Sequence, residues 1–304
     1  MRILITGATG LVGQALVELC HEKDIGVNYL TTSRSKIKTQ PNYQGFYWDP
    51  SKSEIDIDSL KDVTTIINLA GANVAKKWTS THKKEILNSR LDTLMTLKKA
   101  LSSEDHQVEQ LISASAIGIY RDSLTKFHEE EQFSLGHNFL ADVVVQWEAA
   151  ADEVGKLGIE VAKIRIGLVL AKDGGALEKI KQPIENYIGA PLGTGKQWQS
   201  WIHIEDLTRI FLYVMEHRLE GVFNAVAPNP VTNKELTEGI AKRLERPLIL
   251  PKVPAFVLKL MLGEMATIVL GSQLVSSKKM LSTGFEFNYA QLKPALVDLL
   301  KESY

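Results

Sequence analysis

Near its start the chain runs Gly7-Ala8-Thr9-Gly10-Leu11-Val12-Gly13, between the apolar run Arg2–Thr6 and an amphipathic stretch, Val12–His21. A glycine-rich passage from strand into helix lets backbone come close to a ligand. It also leaves the first helical N–H groups, with the positive end of the helix dipole, free for an anion such as pyrophosphate. These glycines recur at every third residue, whereas the usual dinucleotide fingerprint spaces its glycines by about two and then three. The reading therefore rests on where the glycines stand, in the first strand–turn–helix of the chain, more than on their spacing.

Short β-branched runs alternate with helical patterns through the first two-thirds. Arg2–Thr6, Val27–Thr32, Thr65–Leu69, Gln110–Ser115 and Glu160–Ile166 read as strands, with Gln44–Trp48 a weaker one. They are apolar on both faces, as strands of a parallel sheet covered by helices must be. Val12–His21, Thr81–Ser102 and Asp142–Leu157 carry helical periodicity between them. The alternation predicts an α/β, Rossmann-type, doubly wound parallel sheet. After about Ala171 the pattern loosens into a glycine- and proline-punctuated region, with a further strand at Val222–Val226. Thr232 and Glu235 have capping-box spacing for a helix N-terminus. The expected organisation is a nucleotide domain over 1–171 with returning segments near 196–227, and a smaller C-terminal substrate lobe and module over 172–304.

The end of the second strand selects among nucleotides. An NAD site usually places an acid there for the ribose 2′-hydroxyl. This chain has none between Asn28 and Lys38, and offers Ser33, Arg34 and Lys36 instead. A hydroxyl and a guanidinium suit a 2′-phosphate, which points to NADP. Asp49, after the third strand, stands where an acid could meet the adenine amino group, although turn capping in Trp48-Asp49-Pro50 accounts for it almost as well.

Charge and composition exclude other classes. With 35 basic and 36 acidic residues the formal net charge is −1 and no long basic run appears, so nucleic acid is not an expected partner. Cys20 is the single cysteine, and it reads as a buried helix residue in a reducing compartment. The N-terminus lacks the features of a signal peptide, and a cytoplasmic location is expected. Phe256–Val275 is the most apolar later stretch, but Lys259 and Glu264 make it an amphipathic or buried helix, not a membrane span. The histidines show no metal-ligand spacing, so no metal site is expected.

Four motifs together resemble the extended short-chain dehydrogenase/reductases of the NAD-dependent epimerase/dehydratase type: Thr6–Gly13, Asn68-Leu69-Ala70-Gly71-Ala72, Ser113-Ala114-Ser115-Ala116 and Trp201-Ile202-His203-Ile204-Glu205-Asp206. Thr32-Ser33-Arg34, Leu270-Gly271-Ser272-Gln273 and Gly284-Phe285-Glu286-Phe287 are similar to a poorly characterised, sugar-nucleotide epimerase-like branch with a C-terminal module. The resemblance implies that Gly7, Thr9, Gly10, Leu11, Val12 and Gly13 surround the pyrophosphate. It implies that Arg34 holds the 2′-phosphate, and that Leu69, Ala70, Gly71, Ile166 and Gly167 run along the ribose and nicotinamide. Ser115 matches the serine that polarises the reacting carbonyl, while His203 reads more simply as a hydrogen-bonded structural histidine.

The pattern fails at one place. Active members carry a tyrosine and, four residues on, a lysine on the helix after the fifth strand; the tyrosine moves the substrate proton and the lysine lowers its pKa. With Glu148 as the acid that follows that lysine by four, the two positions fall on Leu140 and Val144, and neither can transfer a proton. The one Tyr-x-x-x-Lys, Tyr289 to Lys293, comes far too late and reads as a chance helix face. Tyr120 is the first candidate for a substitute acid, with His137 and Asp142 behind it. The implied function is hydride transfer with NADP(H), as a reductase or a redox-neutral epimerase on a sugar-nucleotide-like or other small polar substrate. The alternative is a catalytically weak or inactive NADP(H)-binding module that senses cofactor or binds a partner. The expected partner is a small-molecule substrate; a homodimer is left open.

Overall fold

The computed structural model of the protein describes residues 1–301. It contains a nine-stranded sheet, seven of whose strands form its body: β1 (Arg2–Thr6), β2 (Gly26–Thr31), β3 (Tyr43–Asp49), β4 (Thr65–Asn68), β5 (Gln110–Ala116), β6 (Glu160–Ile166) and β7 (Gly221–Ala225). Their order across the sheet is β7-β6-β5-β4-β1-β2-β3. The β1–β2, β1–β4, β2–β3 and β4–β5 pairs are all parallel. Chain order reverses between β1 and β4, which makes the C-terminal ends of those two strands the switch point where ligands of such sheets bind. Helices α1 (Leu11–Glu22), α2 (Ser80–Ser103) and α3 (Phe139–Gly155) alternate with the strands as their periodicity predicts.

The central strands β1, β2, β4 and β5 have no solvent-facing side. Ile3, Leu4, Ile5, Val27, Tyr29, Ile66, Ile67, Leu111 and Ile112 are fully buried, which explains why their runs are apolar at consecutive positions instead of alternating. The strand ends are tied by side chains. Thr6 Oγ1 donates to Asn68 Oδ1 at 2.7 Å and accepts from the backbone N–H groups of Leu69 and Ala70, both at 3.1 Å. Asn68 Nδ2 donates to Ser113 Oγ at 3.2 Å.

The chain forms two compact units. The first comprises residues 1–116, 138–165 and 208–223; the second comprises 117–137, 166–207 and 224–304. Sequence places a main boundary near residue 171 with returning segments near 196–227; residues 208–223 belong to the first unit, and residues 117–137 belong to the second. The second unit has its own core of Leu170, Leu177, Trp201, Leu236, Ile240 and Leu296, among others. Helices α4 (Gly175–Glu185), α6 (Asn233–Arg243) and α10 (Leu292–Leu299) supply much of it, and α5 (Ile204–Glu216) and α9 (Lys278–Ser282) lie between them in the chain. The capping box at α6 is formed as expected, with Thr232 and Glu235 bonded reciprocally.

One expectation is corrected. The apolar stretch from Phe256 is not one helix and is buried only in part, in its helices at Leu258 and Ala266: α7 (Ala255–Leu262) ends at Gly263, whose φ is +59°, and α8 (Ala266–Leu270) follows a short 3₁₀ turn. A positive φ is a conformation glycine adopts without steric cost, and it breaks the helix. Phe256, Leu260 and Met261 are 72%, 86% and 74% exposed. Among the described residues no helix is long and apolar enough to cross a membrane.

Candidate functional site

A cavity of about 600 Å³ in the first unit opens at the C-terminal ends of β1, β2, β3 and β4. Of the residues singled out from sequence, Gly7, Thr9, Ser33, Asp49, Ala70 and Gly71 line it. The glycine loop is built by exclusion. A Cβ on Gly13 would lie 2.2 Å from the Gly7 carbonyl oxygen, and one on Gly7, whose φ is +72°, would lie 2.9 Å from the Leu69 carbonyl carbon. Those two glycines are thus required by the close approach of α1 to the loop and of β1 to β4. Gly10 differs: it is exposed, its Cβ would meet only the Gly7 oxygen at 3.3 Å, and it N-caps α1 without any side-chain bond. It leaves the helix N–H groups free beside half-buried Leu11 and Val12.

At the β2 end the wall is Leu30, Thr31, Thr32, Ser33 and Lys36. Ser33 N–H donates to Thr31 Oγ1 at 3.2 Å, and the Ser33 and Ser35 hydroxyls share a hydrogen bond of 2.9 Å. Arg34 is exposed, and its guanidinium lies 3.9 Å from the centre of the Tyr47 ring on β3. Stacking keeps the cation extended at this corner without consuming its hydrogen-bond donors. Asp49 accepts from Ser51 Oγ at 2.6 Å and lies 3.0 Å from Lys52 Nζ. The Ser51 hydroxyl, followed by Lys52, holds its carboxyl below the usual range. Asp49 makes no side-chain capping bond to the turn that follows it, and it lines the cavity beside Pro50 and Ser51.

Sequence reading missed the opposite wall. Glu85, Asn88, Ser89, Asp92 and Thr93, all from α2, complete the cavity. They fall on one helix face at intervals of three and four residues, and a polar stripe on a helix expected to cover an apolar sheet was the available signal. Burial pushes the Asp92 carboxyl above its ordinary range.

Ser115 belongs to a closed cluster. It is 2% exposed and its hydroxyl donates to Glu148 Oε1 at 2.5 Å. Arg165 grips the same carboxylate at both oxygens, Nε to Oε1 at 2.8 Å and Nη2 to Oε2 at 2.9 Å. Burial alone would raise the Glu148 carboxyl; Arg165 and the Ser115 hydroxyl outweigh it and leave the group below its usual range. On α3, Leu140 is half-buried and Val144 buried, and Asp142 is exposed.

The remaining candidates lie in the second unit. Tyr120 is fully buried, with its hydroxyl donating to Asn224 Oδ1 at 2.6 Å and its ring stacked 5.0 Å from that of His128. Its proton is committed inside that unit's core, which weighs against a substitute acid. His203 is buried and stacks 3.8 Å from Tyr289; its Nδ1 accepts from the Glu205 N–H at 3.2 Å. Burial lowers its pKa. Tyr289 stands ahead of α10, so Tyr289 and Lys293 share no helix face. Ile166 ends β6, and Gly167 is a packing glycine whose Cβ would lie 2.3 Å from the Ser200 carbonyl oxygen. Among the described residues no cluster of His, Cys, Asp and Glu could hold a metal.

A doubly wound sheet with a glycine loop and a cavity at its switch point defines a nucleotide-binding α/β protein. Residues 3–225 match the model of the NAD dependent epimerase/dehydratase family, and residues 253–299 match a domain family of unknown function, DUF1731. The chain belongs to the NAD-dependent epimerase/dehydratase family. It is 37% identical over 301 residues to an epimerase family protein of Staphylococcus epidermidis, covering 99% of each chain. An epimerase family protein of Staphylococcus aureus is 37% identical over 300 residues, covering 98% of this chain and 99% of the relative. Among solved structures, the human epimerase family protein SDR39U1 (isoform 2) with NADPH superposes with a TM-score of 0.85 at 30% identity, over 98% of this chain and 99% of that one. The nucleoside-diphosphate sugar epimerase of Corynebacterium glutamicum gives 0.77 at 29% identity, over 99% of this chain and 58% of that one.

Proposed function

We propose that the protein binds NADP(H) in preference to NAD(H) and acts by hydride transfer on a small polar carbonyl or alcohol of the sugar-nucleotide-like class. The observation that carries the cofactor choice is the β2 end of the cavity. Hydroxyls, Lys36 and the stacked Arg34 stand where a 2′-phosphate would lie, and no carboxylate comes from that strand end. The similar human protein, solved with NADPH, supports the same choice. The cavity accepts an adenosine half: the loop wall is glycine backbone, and Asp49 offers an acceptor to the adenine amino group.

The chemistry follows from the cofactor, which supplies or accepts the hydride when bound. The chain's own residues must supply or remove the proton. Leu140 and Val144 cannot, and the Ser115 proton is engaged by Glu148. Ser115 can polarise a carbonyl only by letting go of that carboxylate. These observations favour a second reading of the same site, a cofactor-binding protein with slow or no turnover. General acid catalysis is worth roughly a hundredfold to ten-thousandfold, so its loss should be plain in kcat. Two measurements test the proposal. Direct titration should give NADPH at least tenfold tighter binding than NADH; equal or reversed affinities would overturn it. A screen of carbonyl compounds and sugar nucleotides, read by NADPH consumption and product epimerisation, decides between slow turnover and fast.

A further inference from the structure

Arg90 sits on α2 facing α3, outside every role assigned above. Its guanidinium lies 4.8 Å from the centre of the Trp147 ring. Nη1 donates to the backbone oxygens of Ile86 at 2.8 Å and Ala72 at 3.3 Å. The other three of its five N–H donors have no partner among the described residues, and no carboxylate there pairs with it. The side chain is half-buried, and burial pushes its pKa down to about 10. A cation taken this far from water without a counter-charge is costly to keep, and a bound anion would offset that cost.

The surroundings hold the guanidinium against one particular loop. A Cβ on Gly71 would lie 3.0 Å from Arg90 Cζ and 3.2 Å from both terminal nitrogens, so the planar group packs directly on glycine backbone. Gly71 and Ala72 line the cavity, and so does Ser89, the residue before Arg90. The cavity's own ionisable side chains are Asp49, Glu85 and Asp92 against Lys36. Such a wall repels a diphosphate unless a further cation stands near. Arg34, stacked on Tyr47 at the β2 corner, is not among the residues that line the cavity.

We propose that Arg90 is a phosphate-binding residue of this cavity, donating its free N–H fork to a diphosphate that reaches the Gly71–Ala72 loop. The diphosphate would come either from the dinucleotide of the proposed cofactor site, on which this inference rests, or from a nucleoside-diphosphate substrate beside it. An arginine fork suits this task because it offers parallel donors to two phosphate oxygens.

The test uses the full chain with Arg90→Gln, Arg90→Lys and wild type, each first checked for an unchanged circular dichroism spectrum. Arg90→Lys keeps the charge and serves if the neutral variant fails to fold. NADPH, 2′-phospho-ADP-ribose, 2′,5′-ADP and UDP are titrated separately. If Arg90 holds the cofactor's diphosphate, Arg90→Gln weakens NADPH and 2′-phospho-ADP-ribose by about tenfold or more and leaves 2′,5′-ADP, which has no diphosphate, within twofold. If it holds the substrate's, only UDP weakens. Arg90→Lys should lie between wild type and Arg90→Gln, because it lacks the fork. Unchanged affinity of folded Arg90→Gln, or failing that Arg90→Lys, for all four ligands overturns the proposal. Failure of wild type to bind NADPH would instead overturn the cofactor reading, with the UDP arm still reporting on Arg90.

Discussion

Two polar clusters of the first unit have opposite characters. In the cavity, Thr9, Ser33, Lys36, Asn88 and Asp92 line open space. In the other cluster, Ser115, Glu148 and Arg165 are buried and bond one another. Both contain residues that sequence motifs mark as functional. The contrast teaches that a motif residue already satisfied by its neighbours acts first on the fold, whereas polar groups lining a cavity are available to a ligand.

The largest effect that would break this comparison is at the closed cluster. Arg165→Ala leaves a buried carboxylate without its cation, and the expected loss of stability is about 3–5 kcal/mol in chemical denaturation. Ser115→Ala removes one hydrogen bond to that carboxylate and should cost about 1–3 kcal/mol. NADPH affinity should be unchanged in Ser115→Ala; a protein of unaltered stability that had lost turnover would return Ser115 to a purely catalytic role.

The glycine loop sharpens the contrast within three residues. Gly13→Ala drives a methyl into the Gly7 oxygen and should destabilise by about 1–3 kcal/mol. Gly10→Ala has an ordinary backbone conformation, with φ −86° and ψ 174°. It should leave stability within roughly 0.5 kcal/mol of wild type while weakening NADPH, because it places a methyl at the open mouth of the helix. Equal stability losses in the two would show that the loop is only a packing device.

Smaller effects come from pH. The Glu148 carboxyl lies below its unfolded value, so it contributes stability above the unfolded pKa that is lost as pH falls through the folded one. Buried His128 and His203 have pKa values pushed below their ordinary 6.5 by burial. The unfolded chain takes up those protons before the folded chain does, so stability should begin to fall as pH drops below about 6.5. Denaturation midpoints at steps from neutral to acid pH check this, and a flat profile to pH 5 would contradict it.

Much of the fold was legible because it rests on local rules. β1 and β6 have the bounds read from sequence, and α1 and α2 extend the predicted helices by one residue at each end. Those residues sit in a two-sided apolar sheet, or on helices whose periodicity the sheet uses. A return of the chain near 196–227 could be read from the strand at Val222–Val226, but the membership of residues 117–137 in the second unit could not, since local patterning does not say which segments pack together. The exposure of Phe256 and Leu260 was hidden for the same reason: an apolar helix reads alike whether covered or bare. At the site, the β2 end and glycine loop could be read because backbone conformation and anion chemistry demand particular residue types. Arg90 and the α2 stripe could not be assigned, because their role depends on which way a long helix faces.

In the proposed function the β2 corner, with Arg34 stacked on Tyr47, selects a 2′-phosphorylated dinucleotide. Titration of NADPH and NADH against wild type and Arg34→Ala tests it most directly. A charge-assisted fork is worth about 1.5–3 kcal/mol, roughly tenfold to over a hundredfold in affinity. NADPH should therefore weaken by at least tenfold in Arg34→Ala while NADH stays within twofold. Equal NADPH affinity in the two proteins, or a parallel loss for both nucleotides, would contradict the claim.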